Sequence, residues 1–357
     1  MKALKISKSP DDAIKDLLSS LFEKQKIKGV FSLCYDQDYF YGFVTDKNLL
    51  NKLTPTAPVM PANGGKMLSR LTMLEPIQTP IVVVLRPCEL RALYELVKLE
   101  QANIENLIFI SFICPGVLSL KEIKGNIEEK VANVNQKQGL RECCRFCENF
   151  VPENADLILP IIDGENNNKT TIFIKTERGE ELLQGIENNL VEEDFDSATL
   201  SSIREERTRY KEKTWQNIKT ENFGIPGLID IFGRCINCHA CGRACPICYC
   251  NLCYFDSASN DTGPRVYEEE LERRGALRLP SGTIFYHIGR MIHISLSCVG
   301  CGMCSDVCPI SIPVGTVFTK IAEATQGLFN YVPGRDLEEK IPISTFKIKE
   351  FDELGEA

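Results

Sequence analysis

Two cysteine runs with the same spacing dominate the C-terminal half of the chain. The pattern Cys-x2-Cys-x2-Cys-x3-Cys-Pro begins at Cys235 and ends at Pro246, and it is repeated from Cys298 to Pro309. The chain has 17 cysteines, and 11 of them lie between Cys235 and Cys308. An odd count concentrated in one part of a long chain is not a disulfide framework. It indicates reduced thiols with a metal-binding or redox role.

The repeated spacing is that of the bacterial ferredoxin motif, in which the fourth cysteine of each run ligates the other cluster. It predicts two 4Fe-4S clusters that share a small α+β ferredoxin-like dicluster domain. Two zinc sites are the alternative, although zinc would need only two Cys-x2-Cys pairs. The predicted ligand sets are Cys235, Cys238, Cys241 and Cys308 for cluster 1, and Cys298, Cys301, Cys304 and Cys245 for cluster 2.

Three further cysteines follow directly on the first run. Cys248, Cys250 and Cys253 are spaced Cys-x-Cys-x2-Cys. They form an additional metal site, re-partition the ligands of the first cluster, or are buried cysteines without a ligand role. The sequence leaves these three interpretations open.

The N-terminal part predicts an α/β domain with a parallel sheet. Residues 81–85 are a continuous apolar run, which is typical of a strand covered on both faces. Apolar residues at helical spacing follow over residues 89–100, and residues 107–112 form a second apolar run. Strand, helix and strand within about 30 residues predict a parallel unit with a right-handed crossover.

Cysteines follow both of these predicted strands. Cys88 comes after the first and Cys114 after the second, so both are expected at the carboxyl edge of the sheet, where ligands bind. Cys144 and Cys147 supply a further Cys-x2-Cys pair. These four thiols predict a third 4Fe-4S cluster, with a structural zinc ion or four buried cysteines as the alternatives.

Composition and the absence of long apolar runs argue against several classes of function and cellular location. Lys and Arg number 41 against 49 Asp and Glu, and the resulting net charge of −8 argues against a nucleic-acid binder. No apolar run approaches the roughly 18 residues of a membrane helix, and the polar N-terminus offers no signal-peptide core. We therefore expect a cytoplasmic protein without membrane insertion. The predicted domains are residues 1–163 (α/β), 164–223 (charged helical bridge), 224–326 (dicluster) and 327–357 (extended tail).

Several motifs in the N-terminal part resemble those of the beta-subunit family of the coenzyme F-420 (deazaflavin) hydrogenases and dehydrogenases, which includes formate dehydrogenase beta subunits. They occur in order over residues 60–160. The matching segments are Gly64-Gly65, Arg86-Pro87-Cys88-Glu89-Leu90-Arg91-Ala92-Leu93, Phe112-Ile113-Cys114-Pro115-Gly116, and Cys144-Arg145-Phe146-Cys147 leading to Ala155-Asp156.

The resemblance implies an electron-transfer subunit in which a flavin (FAD) lies beside a cluster and exchanges a hydride with a deazaflavin or another carrier. By position, Gly64, Gly65 and Lys66 would lie near the flavin. The main hypothesis is an iron–sulfur subunit that relays electrons between a catalytic subunit (formate dehydrogenase, hydrogenase or heterodisulfide-reductase-like) and another carrier. The rivals are a FAD-dependent subunit that itself exchanges hydride with a deazaflavin or nicotinamide coenzyme, and a zinc-stapled interaction scaffold.

Overall fold

The computed structural model describes residues 2–123, 139–161, 169–186, 190–193, 197–218, 224–257, 263–275 and 282–344. Its strands are β1 (Lys2–Ile6), β2 (Gly29–Asp36), β3 (Asp38–Val44), β4 (Ile81–Val84), β5 (Leu107–Phe112), β6 (Leu157–Leu159), β7 (Thr170–Ile174) and β8 (Leu190–Glu192).

Twelve α-helices lie within these described residues. They are α1 (Pro10–Glu23), α2 (Gly64–Thr72), α3 (Pro87–Lys98), α4 (Glu142–Arg145), α5 (Glu177–Leu183), α6 (Ser197–Asn217), α7 (Ile225–Phe232), α8 (Ala240–Ala244), α9 (Pro264–Arg274), α10 (Thr283–Ile294), α11 (Met303–Asp306) and α12 (Val314–Leu328). No helix within the described segments is both long enough and apolar enough to span a membrane.

All eight strands join one mixed sheet in the order β3-β2-β4-β5-β6-β7-β1-β8. Strands β2, β4, β5 and β6 run parallel to one another. The remaining pairs, β3–β2, β6–β7, β7–β1 and β1–β8, are antiparallel. The prediction of an α/β fold is confirmed, but the sheet is mixed rather than parallel. Strand β3 forms a hairpin with β2, whereas β7, β1 and β8 come from segments that are distant in sequence. The pattern of strand, helix and strand over residues 81–112 carries no information about these antiparallel pairings.

The central strand β4 is buried on both faces because helices cover each side of the sheet. Val82 and Val84 join one apolar cluster with residues of α1, including Ile14. Ile81 and Val83 join a second cluster with residues of α3, including Leu93. The continuous apolar run over residues 81–85 is explained by this arrangement.

Glycines bring α2 close to its neighbours. A Cβ atom on Gly65 would lie 2.2 Å from the carbonyl oxygen of Glu89 and 3.0 Å from the amide nitrogen of Leu93, both in α3. A Cβ atom on Gly64 would lie 2.6 Å from a methyl group of Leu85. The Gly-Gly pair therefore allows close packing of α2 between α3 and the sheet.

The region between the two cysteine-bearing parts differs from the predicted helical bridge. Residues 164–223 contain the helices α5 and α6, but β7 and β8 also lie there and extend the sheet. These strands are short and flanked by polar residues, so the sequence shows no clear strand pattern. They pair with β1 and β6 rather than with each other. The Asn-rich stretch at 166–168 lies outside the described residues. The four-domain division remains a prediction.

The segment after α12 returns to the sheet domain. The hydroxyl group of Tyr331 and the backbone amide of Gly334 both donate to the fully buried carboxylate of Glu95 on α3, each at 2.7 Å. Lys98 pairs with the same carboxylate at 2.6 Å. The described part of the predicted tail is thus docked against α3, and residues 345–357 lie outside the described residues.

We predict that Gly65→Ala lowers the free energy of unfolding by about 1–3 kcal/mol, because the added methyl group meets the backbone of α3 and forces the helices apart. Urea unfolding monitored by circular dichroism measures the change. Gly327→Ala in α12 is the matched control, since nothing lies within 4 Å of a Cβ atom there. Equal stabilities of the two variants would contradict the packing role of Gly65.

Candidate metal centres

The four cysteines of the predicted third set line one cavity at the carboxyl edge of the sheet. Cys88 is the second residue of α3, directly after β4, and Cys114 lies two residues beyond β5. Cys144 lies on α4 and Cys147 two residues after that helix. All four cysteines line this same cavity. The topology therefore brings together the four thiols that the sequence placed at this edge.

The chemistry of this cavity fits a thiolate-bound metal group. Burial raises the pKa of the Cys114 thiol to about 12 and holds the pKa of Cys88 well above its usual range. Both thiols are thus neutral near pH 7, and a bound metal must displace their protons. Arg86 also lines the cavity, and its Nε atom has no hydrogen-bond acceptor among the described residues. Soft sulfur ligands beside a buried cation suit an iron–sulfur cluster and also suit zinc.

Arg207 fixes the loops that carry two of these thiols. It extends from α6 and donates to the carbonyl oxygens of Cys147 at 3.0 Å, Cys114 at 3.1 Å and Pro115 at 3.2 Å. Its guanidinium group also stacks over the ring of Phe150, 4.5 Å from the centroid. This role is not apparent from the sequence, because the charged stretch around Arg207 is typical of a solvated helix.

Arg141 connects the cavity of the third cysteine set to the second cysteine run. Its Nε atom lies 2.7 Å from the carboxylate of Asp306, and its Nη1 atom donates to the carbonyl oxygen of Cys301 at 2.9 Å. Nη2 donates to the carbonyl oxygen of Met60 at 3.3 Å. Cys301 also lines the third cavity. The second and third predicted ligand sets therefore adjoin each other.

The four cysteines of the first predicted set lie close enough to interact electrostatically. Burial raises the pKa of Cys235, and Cys241, Cys238 and Cys308 raise it further. Backbone amides donate to sulfur, from Asn237 to Cys235 at 3.4 Å and from Ile312 to Cys308 at 3.3 Å. These donors would stabilise thiolates, and Cys238 is exposed while Cys241 and Cys308 are buried.

The second predicted set also converges. Burial raises the pKa of Cys298 to about 11 and of Cys301 to about 12, with Cys245 as the next contributor to both shifts. Burial, with a smaller contribution from Cys245, holds the pKa of Cys304 well above its usual value. Gly300 and Gly302 adopt left-handed backbone conformations, at φ of 67° and 72°, which turn the chain around this position.

The three additional cysteines have different surroundings. Cys248 donates a hydrogen bond to the sulfur of Cys245, which lowers the pKa of Cys245. Cys250 is exposed, and Cys253 precedes a short 3-10 helix, Tyr254–Asp256. Within the described residues, no group of three or more His, Cys, Asp or Glu side chains is arranged to hold a single metal ion. A metal role for these three remains a prediction.

The residues predicted near a flavin take part in packing contacts. The ammonium group of Lys66 donates to the carbonyl oxygens of Arg243 and Cys245, both at 2.7 Å, and of Cys248 at 3.1 Å. Burial lowers the pKa of Lys66. The amide of Gly64 donates to Glu89 at 2.8 Å. These contacts do not fit a flavin cradle, since the ammonium group and this amide are already occupied. The flavin assignment of Gly64, Gly65 and Lys66 remains a prediction.

Comparisons with known proteins agree with the sequence motifs. A family model for the C-terminal part of the beta subunits of coenzyme F420 hydrogenases and dehydrogenases matches residues 122–198. The F420-dependent formate dehydrogenase subunit beta of Methanocaldococcus jannaschii is 24% identical over 372 residues, which cover 91% of this chain and 92% of that protein. The F420-dependent formate dehydrogenase 1 subunit beta of Methanococcus maripaludis is 25% identical over 377 residues, with 91% of each chain covered.

A solved structure of the F420-reducing [NiFe] hydrogenase complex from Methanosarcina barkeri aligns with a TM-score of 0.44 and 14% identity, over 62% of this chain and 92% of that one. The family match and the formate dehydrogenase relatives show that this chain is similar to beta subunits of F420-dependent oxidoreductases. The predicted resemblance to the beta-subunit family of the coenzyme F420 hydrogenases and dehydrogenases is confirmed.

We predict that Lys66→Met lowers the free energy of unfolding by about 1–3 kcal/mol, because buried carbonyl oxygens lose their donor. Chemical unfolding under anaerobic conditions measures the loss. Lys28→Met, at an exposed lysine, makes the same change in net charge and should leave stability unchanged. A stable Lys66→Met variant that has lost flavin would instead support the flavin assignment.

Proposed function

We propose that this chain is an iron–sulfur electron-transfer subunit of a cytoplasmic oxidoreductase complex. It relays electrons between a catalytic subunit and another redox carrier. The catalytic subunit is a formate dehydrogenase, a hydrogenase or a heterodisulfide-reductase-like protein. The formate dehydrogenase relatives support this role, since they match over 91% of the chain. The dicluster domain over residues 224–326 is part of the same proposal.

The adjacency of the three thiol sets is the observation that carries the proposal. Arg290 donates to the sulfur of Cys241 in the first set and interacts electrostatically with Cys245 in the second. Cys301 of the second set lines the same cavity as Cys88 and the other thiols of the third. Clusters bound at these adjoining sets would allow single electrons to pass from one set to the next.

Each 4Fe-4S cluster, when bound, accepts and releases one electron. The chain's own residues supply thiol ligands, exclude water and place positive charge nearby. Burial raises the pKa of Cys114, and Arg86 and Arg207 offset part of that rise, which favours the thiolate form that a metal binds. Backbone amides at Asn237 and Ile312 add hydrogen bonds to sulfur in the first set. Such donors and charges tune the potential of a cluster.

A FAD-dependent subunit that exchanges hydride itself is the second candidate, and one cleft favours it. This cleft of about 320 Å³ lies between the sheet domain and α12, and Cys147 and Cys298 both line it. Arg91, Lys211 and Tyr331 supply polar groups to its wall. A redox molecule in this cleft would therefore lie beside the third and second thiol sets together.

We predict about 12 iron atoms per chain if all three clusters form and about 8 if the third set binds none. Cys114→Ser should remove about four iron atoms and leave the ferredoxin-type pair intact. Cys34→Ser is the matched control, because Cys34 is a buried cysteine of β2 outside every predicted ligand set. Elemental analysis after anaerobic purification measures iron and zinc together. Unchanged iron in Cys114→Ser would rule out the third cluster, and zinc in place of iron would support the scaffold alternative.

Acid release distinguishes the relay from the flavin enzyme. We expect no stoichiometric flavin in the supernatant if the chain only relays electrons. Release of about one flavin per chain would favour the second candidate. An absorption spectrum of the released fraction, with the iron content of the same sample, makes the comparison.

A further inference from the structure

Arg290 is a buried cation at the junction of the two predicted ferredoxin-type ligand sets. It lies on α10 and is 4% exposed. Its Nη1 atom donates to the sulfur of Cys241 at 3.1 Å, and its Nη2 atom donates to the carbonyl oxygen of Cys241 at 3.2 Å. Its Nε atom donates to the sulfur of Cys248 at 3.5 Å. The guanidinium group thus contacts both Cys241, in the first cysteine run, and Cys248, which follows that run.

The charge of Arg290 has no carboxylate partner among the ion pairs of the described residues. Two other buried arginines differ in this respect, since Arg86 pairs with Glu89 and Arg141 pairs with Asp306. An unneutralised cation in a low-polarity environment acts strongly on charges a few ångströms away. The groups that contact the guanidinium group of Arg290 are two sulfurs, one carbonyl oxygen and two aromatic rings.

Aromatic packing fixes the guanidinium group in this position. Its central carbon lies 4.9 Å from the ring centroid of Phe318 and 5.5 Å from that of Tyr286. Both rings thus pack against the same guanidinium group whose Nη1 and Nε atoms contact the cysteine sulfurs. A guanidinium group stays protonated in proteins, so Arg290 carries a fixed positive charge.

We propose that Arg290 raises the reduction potential of the ferredoxin-type cluster that Cys241 ligates. Reduction adds negative charge to the cluster, and a fixed buried cation stabilises the reduced form more than the oxidised form. Hydrogen bonds from the guanidinium group to cysteine sulfur act in the same direction. This inference rests on the proposed function, because it requires the cluster to be bound. By raising this potential, Arg290 helps to determine the direction in which electrons pass between the clusters.

The test is a redox titration of the anaerobically purified full chain, followed by electron paramagnetic resonance. Arg290→Gln and Arg290→Met remove the charge, whereas Arg290→Lys keeps it. We expect each neutral variant to shift the equilibrium at least tenfold toward the oxidised form, which lowers the midpoint potential of one cluster by about 59 mV. Arg290→Lys should shift it less than twofold.

Arg265→Gln is the control for net charge, because Arg265 lies on α9 with its side chain 89% exposed. Its potentials should equal those of the unaltered chain. Wild-type potentials in the neutral Arg290 variants, with iron intact, would overturn the inference. An equal shift in Arg290→Lys would also overturn it, because the contacts rather than the charge would then matter.

Iron content separates failure of the inference from failure of the proposed function. Loss of iron from both neutral variants, but not from Arg290→Lys, would overturn the inference by showing a role in cluster assembly. Absence of iron and of cluster signals from the unaltered chain would instead refute the proposed function, and the inference would fall with it.

Discussion

Two buried cations hold the sheet domain against the cysteine-rich part of the chain. Lys66 donates to backbone carbonyl oxygens around Cys245, and Arg141 links Asp306 and the carbonyl oxygen of Cys301. Both contacts join residues more than 150 positions apart in sequence. The adjacency of the second and third thiol sets depends on this interaction, because the two sets belong to different parts of the chain.

Much of the sheet could be predicted because its central strands leave a local signal. The apolar run at β4, the helix α3 and the strand β5 occur where periodicity placed them. The hydroxyl oxygen of Ser9 accepts from the amide of Asp12 and caps α1, which is a local signal of the same kind. Strands β6 and β8 have three residues each, which is too short for a periodic pattern. Their place in the sheet is set by pairing with distant segments.

The cysteines could be predicted as groups because their spacing and their position after strands follow general rules. The contacts of the cationic side chains that lie among these cysteines could not be predicted from the sequence. Arg207 lies in a run of alternating charges, and only the folded chain shows that it faces the loops of Cys114 and Cys147. Lys66 was associated with a flavin through a family motif, whereas its contacts are with carbonyl oxygens. Side-chain direction on a helix decides such cases, and a single sequence does not reveal it.

The docking of the final segment has a consequence for biosynthesis. Glu95 is synthesised early, yet two of its three buried partners, Tyr331 and Gly334, leave the ribosome about 240 residues later. Until then the carboxylate has Lys98 as its remaining described partner, and α3 lacks the cover that the end of the chain provides. Closure over α3 therefore comes after every predicted cysteine ligand has been translated.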